Sequence, residues 1–206
     1  MSDHLLPDPI VVEAYRQLRE RVVTLVRSLP EATGDTVVPA CPAWTVRQLL
    51  GHMLGVPEDI LTGSMEGVTT EPWTAAQVER HAGQSLAELA DSLAATGTVF
   101  DDVLPTIPAP VNSQLVMDAV THEHDLREAL GGTGARDSVA VEVALGWLRY
   151  AFPTAIPEGT VPEDVPPYEL LRAMTGRRTV VEMDALGLDG VRIRTALLGT
   201  PLEPPA

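Results

Sequence analysis

The stretch WTVRQLLGHMLGV (residues 44–56) fixes the start of a helix and places a histidine on the apolar side of that helix. Thr45 and Gln48 form the Ser/Thr-x-x-Glu/Gln pattern of a capping box, which predicts a helix that begins at Thr45. The Gly-Val-Pro at residues 55–57 predicts that it ends there. His52 shares its face with apolar residues, and a histidine buried among them is costly unless a partner satisfies it.

Four further helices are predicted in the first 152 residues from capping residues, apolar spacing of three and four, and glycine or proline stops. They cover residues 8–29, 74–97, 114–130 and 137–152. Thr74 and Gln77 form the capping box of the second of these, Gly83 is a possible interruption in it, and residues 63–73 are expected to form a loop. Neither a β-α-β alternation nor a repeat is present in the sequence. The expected fold class is therefore all-α, an antiparallel helical bundle.

Residues 153–206 differ from the bundle and are predicted to form a small C-terminal appendage. A Pro-rich linker is followed by YELLRAMTG (residues 168–176), a short helix that ends at a glycine. Thr179 and Glu182 form another capping box, so a further helix is expected there. The segment VRIRTALLG (residues 191–199) alternates weakly and is expected to be a strand or an extended tail.

The composition describes an acidic globular chain with a core of small and aliphatic residues. The chain has 206 residues, is 45% hydrophobic but only 4% aromatic, and carries a formal net charge of −15, which disfavours a nucleic-acid partner. Cys41 is the single cysteine, so no intramolecular disulfide can form, which is typical of a reducing compartment. The N-terminus lacks the basic start and apolar run of a signal peptide, and no stretch is long enough to span a bilayer. We therefore expect a cytoplasmic protein.

The helix QLVMDAVTHEHDLREAL (residues 114–130) carries residues that point to metal chemistry. Asp118 and His122 are four residues apart, so their side chains meet on one otherwise apolar face. His124 is rotated by about 200° from His122 and is expected to be partly exposed. Helical bundles build metal sites from inward-facing side chains on neighbouring helices. His52, Asp118 and His122 supply two imidazoles and one carboxylate, the ligand set of an open zinc site, which also suits nickel, iron or manganese.

Simpler interpretations of the same residues remain open at this point. A buried histidine is more often a hydrogen-bonded core residue than a ligand, and an Asp-x-x-x-His pair can be no more than an intrahelical contact. His4 and His81 are not accompanied by other candidate metal ligands and are interpreted as structural. Cys41 lies in PACPAW, a Pro-flanked segment expected to be a loop, and is interpreted as structural rather than catalytic. The sequence assigns neither a catalytic residue nor a residue that binds an organic cofactor.

Three segments carry a family resemblance: VPACPAWTVRQLLGHMLGV (residues 38–56), DAVTHEHDLREALG (118–131) and YELLRAMTGRRTVVEMDALGLDG (168–190). They resemble the DinB-like metal-binding bundles, specifically the actinobacterial mycothiol-dependent maleylpyruvate isomerase family. The resemblance implies an antiparallel four-helix bundle of the DinB type. It divides the chain into residues 1–152, the bundle with its metal site, and residues 153–206, a Pro-rich linker and a reduced form of the family's C-terminal region.

In that family a histidine of the second helix and a Glu-x-x-x-His pair hold a divalent metal, usually zinc. The resemblance places these ligands at His52 and His122, with Asp118 one methylene shorter than the family's glutamate. Asp125 matches an aspartate that is common at that position, where it orients a ligand or supports the fold. Longer members carry an α/β domain after the bundle that contributes to the substrate pocket. In this chain only the linker at residues 153–167 stands in its place.

The activity that the resemblance implies is thiol chemistry on a small electrophile. Mycothiol is the implied cofactor, and its thiolate would add to an electrophilic carbon, reversibly in an isomerase and irreversibly in a transferase. The expected partners are this thiol and the substrate, with no nucleic acid and no membrane, and a homodimer is compatible with an all-helical domain. One alternative is a non-enzymatic metal-binding bundle with a regulatory, stress or interaction role. Another is a plain interaction module in which His52 and His122 are core residues.

Overall fold

The computed structural model describes residues 4–204 of the chain. Within that range the protein forms nine α-helices, two short 3-10 helices and one two-stranded antiparallel hairpin. The helices are α1 (Asp8–Arg27), α2 (Val46–Thr62), α3 (Glu71–Arg80), α4 (Leu86–Val103), α5 (Val111–Ala129), α6 (Val139–Ala151), α7 (Pro167–Met174), α8 (Val180–Ala185) and α9 (Gly190–Leu197). The strands are β1 (Val37–Val38) and β2 (Cys41–Thr45). Residues 1–3 and 205–206, the outer ends of the two predicted segments, lie outside the described residues.

Four helices form the bundle, because α1 and α2 each contact both α4 and α5. Aliphatic side chains fill the space between them, and Leu18, Leu50, Leu89 and Val120 are each at most 2% exposed. α3 lies against α2, and α6 lies against α5 and α1. The predicted helical bundle is confirmed, and the structure adds a short hairpin that the all-α prediction did not include. Among the described residues, no helix combines the length and the apolar character that crossing a bilayer requires.

Helix α2 begins where the sequence predicts but extends further. The Thr45 hydroxyl accepts a hydrogen bond from the Gln48 backbone N–H at 3.4 Å, and the Gln48 side chain accepts one from the Thr45 N–H at 2.9 Å. The predicted end near residues 55–57 is wrong, because the helix continues through Pro57 to Thr62. Pro57 donates no backbone hydrogen bond and its ring crowds the carbonyl of Met53, but packing against α3 supports the helix beyond it.

The helix predicted over residues 74–97 is two helices, and the break between them contains Gly83, where the sequence analysis placed an interruption. α3 begins earlier, at Glu71, so the predicted loop before it is shorter. A turn follows α3, and Ser85 caps α4 through a capping box of its own. Gly97 does not end α4, although a glycine often ends a helix. A Cβ at this position would collide with the Arg19 side chain, so the glycine serves the packing of α4 against α1.

The C-terminal segment (residues 153–204) lies on the bundle through α7, which contacts α6. The helix predicted at residues 168–176 is confirmed as α7. The capping box of Thr179 and Glu182 is also confirmed, at the start of α8. α9 contacts both α7 and α8, so the three short helices pack together. The division of the chain into a bundle and an appendage stays a prediction.

The prediction of a strand or an extended tail at residues 191–199 is wrong, because α9 covers most of that stretch. The Asp189 side chain accepts a hydrogen bond from the Arg192 backbone N–H at 2.9 Å and caps the helix. Ile193 and Leu197 are one helical turn apart and both are buried. Their burial against the neighbouring helices outweighs the weak alternation of the local sequence.

Candidate metal centre

His52 on α2 meets Asp118 and His122 on α5. His52 Nε2 lies 3.7 Å from Asp118 Oδ2, and His122 Nε2 lies 3.7 Å from Asp118 Oδ1. One donor atom from each of the three residues lies within 4.8 Å of the others. Zinc bonds of about 2.0–2.1 Å in tetrahedral geometry place neighbouring donor atoms about 3.3 Å apart, so a small inward movement would complete such a site. The structure thus brings together the three residues singled out from the sequence, in an arrangement that could hold a divalent metal.

Trp44 of strand β2 covers the two imidazoles. Its ring centroid lies 5.2 Å from that of His52 and 6.0 Å from that of His122. The side chains of His52 and His122 are 6% and 9% exposed, whereas that of Asp118 is 37% exposed. A ligand from solvent would therefore approach the centre from the side of the carboxylate.

His52 is oriented by a chain of hydrogen bonds that runs through α3. The His52 Nδ1 atom lies 2.7 Å from the Gln77 side-chain oxygen, and the Gln77 amide nitrogen donates to Asp59 at 2.7 Å. Arg80 in turn donates to Asp59 at 2.6 Å. The carboxylate of Asp59 can only accept, so the amide oxygen of Gln77 faces the histidine and Nδ1 must carry the proton. The lone pair of Nε2 is then free for a metal.

Gly55 makes this hydrogen-bond chain possible. A Cβ at this position of α2 would lie 2.5 Å from Cβ and from Cγ of Gln77. Any side chain would displace Gln77, which is fully buried between α2 and α3. The glycine that the sequence analysis assigned to the end of α2 serves instead to place the partner of His52.

His122 is oriented by a charged partner. Its Nδ1 atom lies 3.1 Å from Asp125 Oδ2, which again leaves Nε2 free for a metal. Asp125 is fully buried and pairs with two arginines of the C-terminal segment. Arg172 donates to Oδ1 at 2.6 Å, and Arg177 donates to Oδ2 at 2.8 Å. The second imidazole therefore depends on residues that lie far along the chain.

The electrostatics of the centre keep its carboxylates ionised. Burial raises the pKa of Asp118, but the contacts with His52 and His122 outweigh it and bring that pKa to about 2. Burial lowers the pKa of His52, whereas the Asp118 carboxylate raises it, and the net shift is upward. Burial also raises the pKa of Asp125, but the charge of Arg177 and the contact with His122 hold it well below its usual range. A proton on His52 would therefore compete with a metal at low pH.

A second group of candidate ligands, Cys41, His122 and Asp125, lies behind the first. The Cys41 thiol lies 3.6 Å from Asp125 Oδ2, and Arg177 lies 3.6 Å from the sulfur. Burial, and then the charge of Asp125, raise the pKa of Cys41 to about 11, so the thiol stays protonated at neutral pH. A cation here would meet the guanidinium of Arg177 and would compete with it for Asp125. The first group is therefore the better candidate for a metal site. The prediction that Cys41 lies in a loop is wrong, because it begins strand β2.

The remaining histidines lie apart from the three candidate ligands. The prediction that His124 is partly exposed is wrong: it is 2% exposed, and its ring packs edge-on against Tyr168 at 4.8 Å. Helix α6, which packs against α5, and Tyr168 of α7 cover this face, and burial lowers the pKa of His124 to about 4. His81 is buried between Glu58 and Gln84, which lie 2.9 Å from its two ring nitrogens.

Of the residues that orient the two imidazoles, Asp125 was singled out through the family resemblance, whereas Gln77, Arg172 and Arg177 were not found from the sequence. Gln77 was assigned to a capping box with Thr74, but α3 begins earlier and the side chain points to His52 instead. Arg172 stands in the apolar run YELLRAM, and a charged residue between leucine and alanine was the available signal. Its partner, 47 residues away in sequence, could be identified only from the fold.

Comparison with known proteins supports the same region of the chain. The family model described as the mycothiol maleylpyruvate isomerase N-terminal domain matches residues 15–130, which is more than half of the chain. His52, Asp118 and His122 all lie inside the match, and the C-terminal segment lies outside it. No curated protein and no solved structure matches the chain. The chain belongs to the mycothiol maleylpyruvate isomerase N-terminal domain family.

Proposed function

We propose that this protein binds a divalent metal through His52, Asp118 and His122 and uses it for mycothiol-dependent transfer or isomerisation of a small electrophilic substrate. One observation carries the proposal. Each imidazole has its Nδ1 committed to a buried acceptor, so two Nε2 lone pairs converge on one carboxylate. A hydrogen-bonded core histidine needs one partner, and both histidines have that partner on the side away from Asp118.

The donor set favours zinc. Two imidazoles and one carboxylate are found in catalytic zinc sites that keep a fourth position open, and nickel, iron or manganese accept the same donors. A bound divalent metal would supply the positive charge that holds a small thiol as thiolate and orients the electrophile. The exposed edge of Asp118 gives the thiol a route to that position.

The thiol is proposed to come from a small molecule. Cys41 is the single cysteine of the chain, and its pKa of about 11 keeps it protonated near neutral pH. Its sulfur is also engaged by Asp125 and Arg177 on the far side of His122. Membership of a family named for mycothiol makes that thiol the first to test.

A metal-binding bundle without turnover is the second candidate function, and one observation favours it. A cavity of about 350 Å³ lies between the N-termini of α6 and α7, and none of its lining residues belongs to the candidate metal centre. Its volume is in the range of small-molecule sites, but a molecule bound there would not contact the three candidate metal ligands. Turnover with mycothiol separates the two candidates, because a non-enzymatic bundle would bind the metal and leave substrate unchanged.

The first experiment is elemental analysis of the protein purified without chelator, followed by cobalt substitution. We expect one divalent metal per chain, and we expect mycothiol to add a sulfur-to-metal charge-transfer band to the cobalt spectrum. Cys41→Ser should leave this band unchanged, because the sulfur comes from the cofactor. The thermal stability of the cobalt protein should also rise with mycothiol concentration. A cobalt spectrum indifferent to mycothiol would contradict the proposal and leave the metal-binding bundle as the better account.

A further inference from the structure

We infer that the C-terminal segment completes the metal centre, and that Arg172 and Arg177 are positioning residues that hold His122 through Asp125. Docking of this segment and binding of metal are then coupled. The inference rests on the proposed metal site and adds a regulation of it that the family match, which ends at residue 130, does not cover.

The hydrogen bonds around Asp125 leave its carboxylate one orientation. Oδ1 accepts from Arg172 at 2.6 Å and from Arg177 Nε at 3.3 Å. Oδ2 accepts from the other end of the Arg177 guanidinium at 2.8 Å and faces His122 Nδ1 at 3.1 Å. The two-point contact with Arg177 sets the plane of the carboxylate, because a guanidinium and a carboxylate pair in a fixed fork geometry. That plane in turn directs the Nδ1–H of His122 and hence the Nε2 lone pair.

Burial makes this arrangement sensitive to the loss of either arginine. The side chains of Asp125 and Arg172 are fully buried, and that of Arg177 is 12% exposed. A buried carboxylate that loses a partner must recruit water, take up a proton or turn toward another donor. Each of these outcomes changes the acceptor that His122 meets.

Positioning and charge predict opposite effects of Arg177 on metal affinity. As a positive charge near the centre, Arg177 would repel a cation, and its removal would tighten binding. As a positioning residue it orients a ligand, and its removal would weaken binding. The sign of the change therefore decides between the two roles.

The rest of α7 fastens the segment to α5. Arg172 also donates to Glu128 at 2.7 Å, and the Tyr168 hydroxyl donates to the same carboxylate at 2.6 Å. Glu128 lies on α5 beyond Asp125, so the segment holds two successive acidic positions of the helix that carries His122. Coupling between two sites is reciprocal. If docking of the segment raises the metal affinity by a certain factor, metal binding must raise the equilibrium constant for docking by the same factor.

The test compares Arg177→Met with Arg19→Met in the full chain. Arg19 is a matched control because its side chain is equally buried, at 12% exposed, and pairs with Asp101 at 2.7 Å instead of Asp125. Zinc titration should show affinity roughly 10–100-fold weaker in Arg177→Met, as for other partners of metal ligands, and near wild type in Arg19→Met. The ligand-field bands of the cobalt protein should shift only in Arg177→Met. In an Asp125→Asn background, Arg177→Met should have little further effect.

A wild-type measurement keeps the inference testable if a variant fails to fold. Zinc should slow backbone amide exchange in α7 of the wild type. Exchange in α7 that is indifferent to zinc would overturn the inference, as would unchanged or tighter zinc binding in a folded Arg177→Met. Those results would leave the proposed function standing, whereas a wild type that binds no zinc would overturn both.

Discussion

The two imidazoles of the candidate centre are held in different ways. His52 donates to the neutral amide of Gln77, which belongs to the neighbouring helix α3 and leads to Arg80, a side chain that is 41% exposed. His122 donates to the buried carboxylate of Asp125, which is paired with arginines from the far end of the chain. His52 thus has a neutral partner from a neighbouring helix, and its hydrogen-bond chain reaches solvent at Arg80. His122 instead has a charged and buried partner, which is held by arginines distant in sequence.

Because of this difference, the part of the centre that is most sensitive to mutation depends on residues outside 15–130, the range that matches the family model. All residues of the His52 side lie within residues 15–130, whereas the His122 side needs Arg172 and Arg177. A buried charge is stable only with its partners, while a solvent-connected chain can replace a lost partner by water. Changes on the two sides are therefore expected to differ in size.

The largest loss of metal binding is expected when either imidazole is removed. His52→Ala and His122→Ala should be equally severe, because a site with three protein ligands has no spare donor. Zinc competition titration should show losses beyond the roughly 10–100-fold expected of a partner residue. His4→Ala, an exposed histidine, should keep the metal content of the wild type. Full zinc stoichiometry in either ligand variant would remove that histidine from the site.

The largest difference in the free energy of unfolding is expected between variants of Asp125, which contacts His122, and variants of Asp59, which contacts Gln77. Asp125→Ala leaves Arg177 without its carboxylate partner and Arg172 with Glu128 alone, and it should lower the free energy of unfolding by about 3–5 kcal/mol. Asp59→Ala leaves Arg80 free to turn to solvent and should cost about 1–3 kcal/mol, mainly from the buried amide of Gln77. Urea denaturation of the metal-free proteins measures both. Equal losses would show that the two sides do not differ as described.

A smaller effect is expected from the neutral partner of His52. Gln77→Leu removes the acceptor of Nδ1 and should weaken zinc binding by about tenfold, the low end of the range for partner residues. Gln84→Leu is the matched control, because Gln84 makes the same contact, at 2.9 Å, with a buried histidine outside the centre. A loss of zinc affinity in Gln84→Leu as large as in Gln77→Leu would mean that the effect is one of general packing.

The smallest effect is expected when Asp118, the candidate ligand that both sides share, is lengthened by one methylene group. Asp118→Glu should keep or improve zinc affinity, because the contacts of 3.7 Å exceed the spacing in a closed site and a longer side chain reaches further. Asp118→Leu should abolish binding while the helical content is kept. If the leucine variant binds zinc like the wild type, Asp118 is not a ligand. Isothermal titration of the two variants beside the wild type decides this.

The three candidate ligands could be singled out from the sequence because helical phase and helix starts depend on local geometry. Helical phase puts Asp118 and His122 on one face, and a capping box sets the start of the helix that carries His52. Helix ends were less predictable, since packing carried α2 past Pro57. The contacts of Arg177 depend on how the C-terminal segment docks, and no local pattern in the sequence records that.

The zinc-edge X-ray absorption spectrum of the metal-loaded protein, in buffer without thiol, tests the central claim most directly. The account predicts a nitrogen and oxygen shell at about 2.0–2.1 Å with scattering from two imidazoles. It also predicts no sulfur at about 2.3 Å, because Cys41 lies in the second group of residues and not in the first. A sulfur shell, or a shell with fewer than two imidazoles, would contradict it and would place the metal elsewhere.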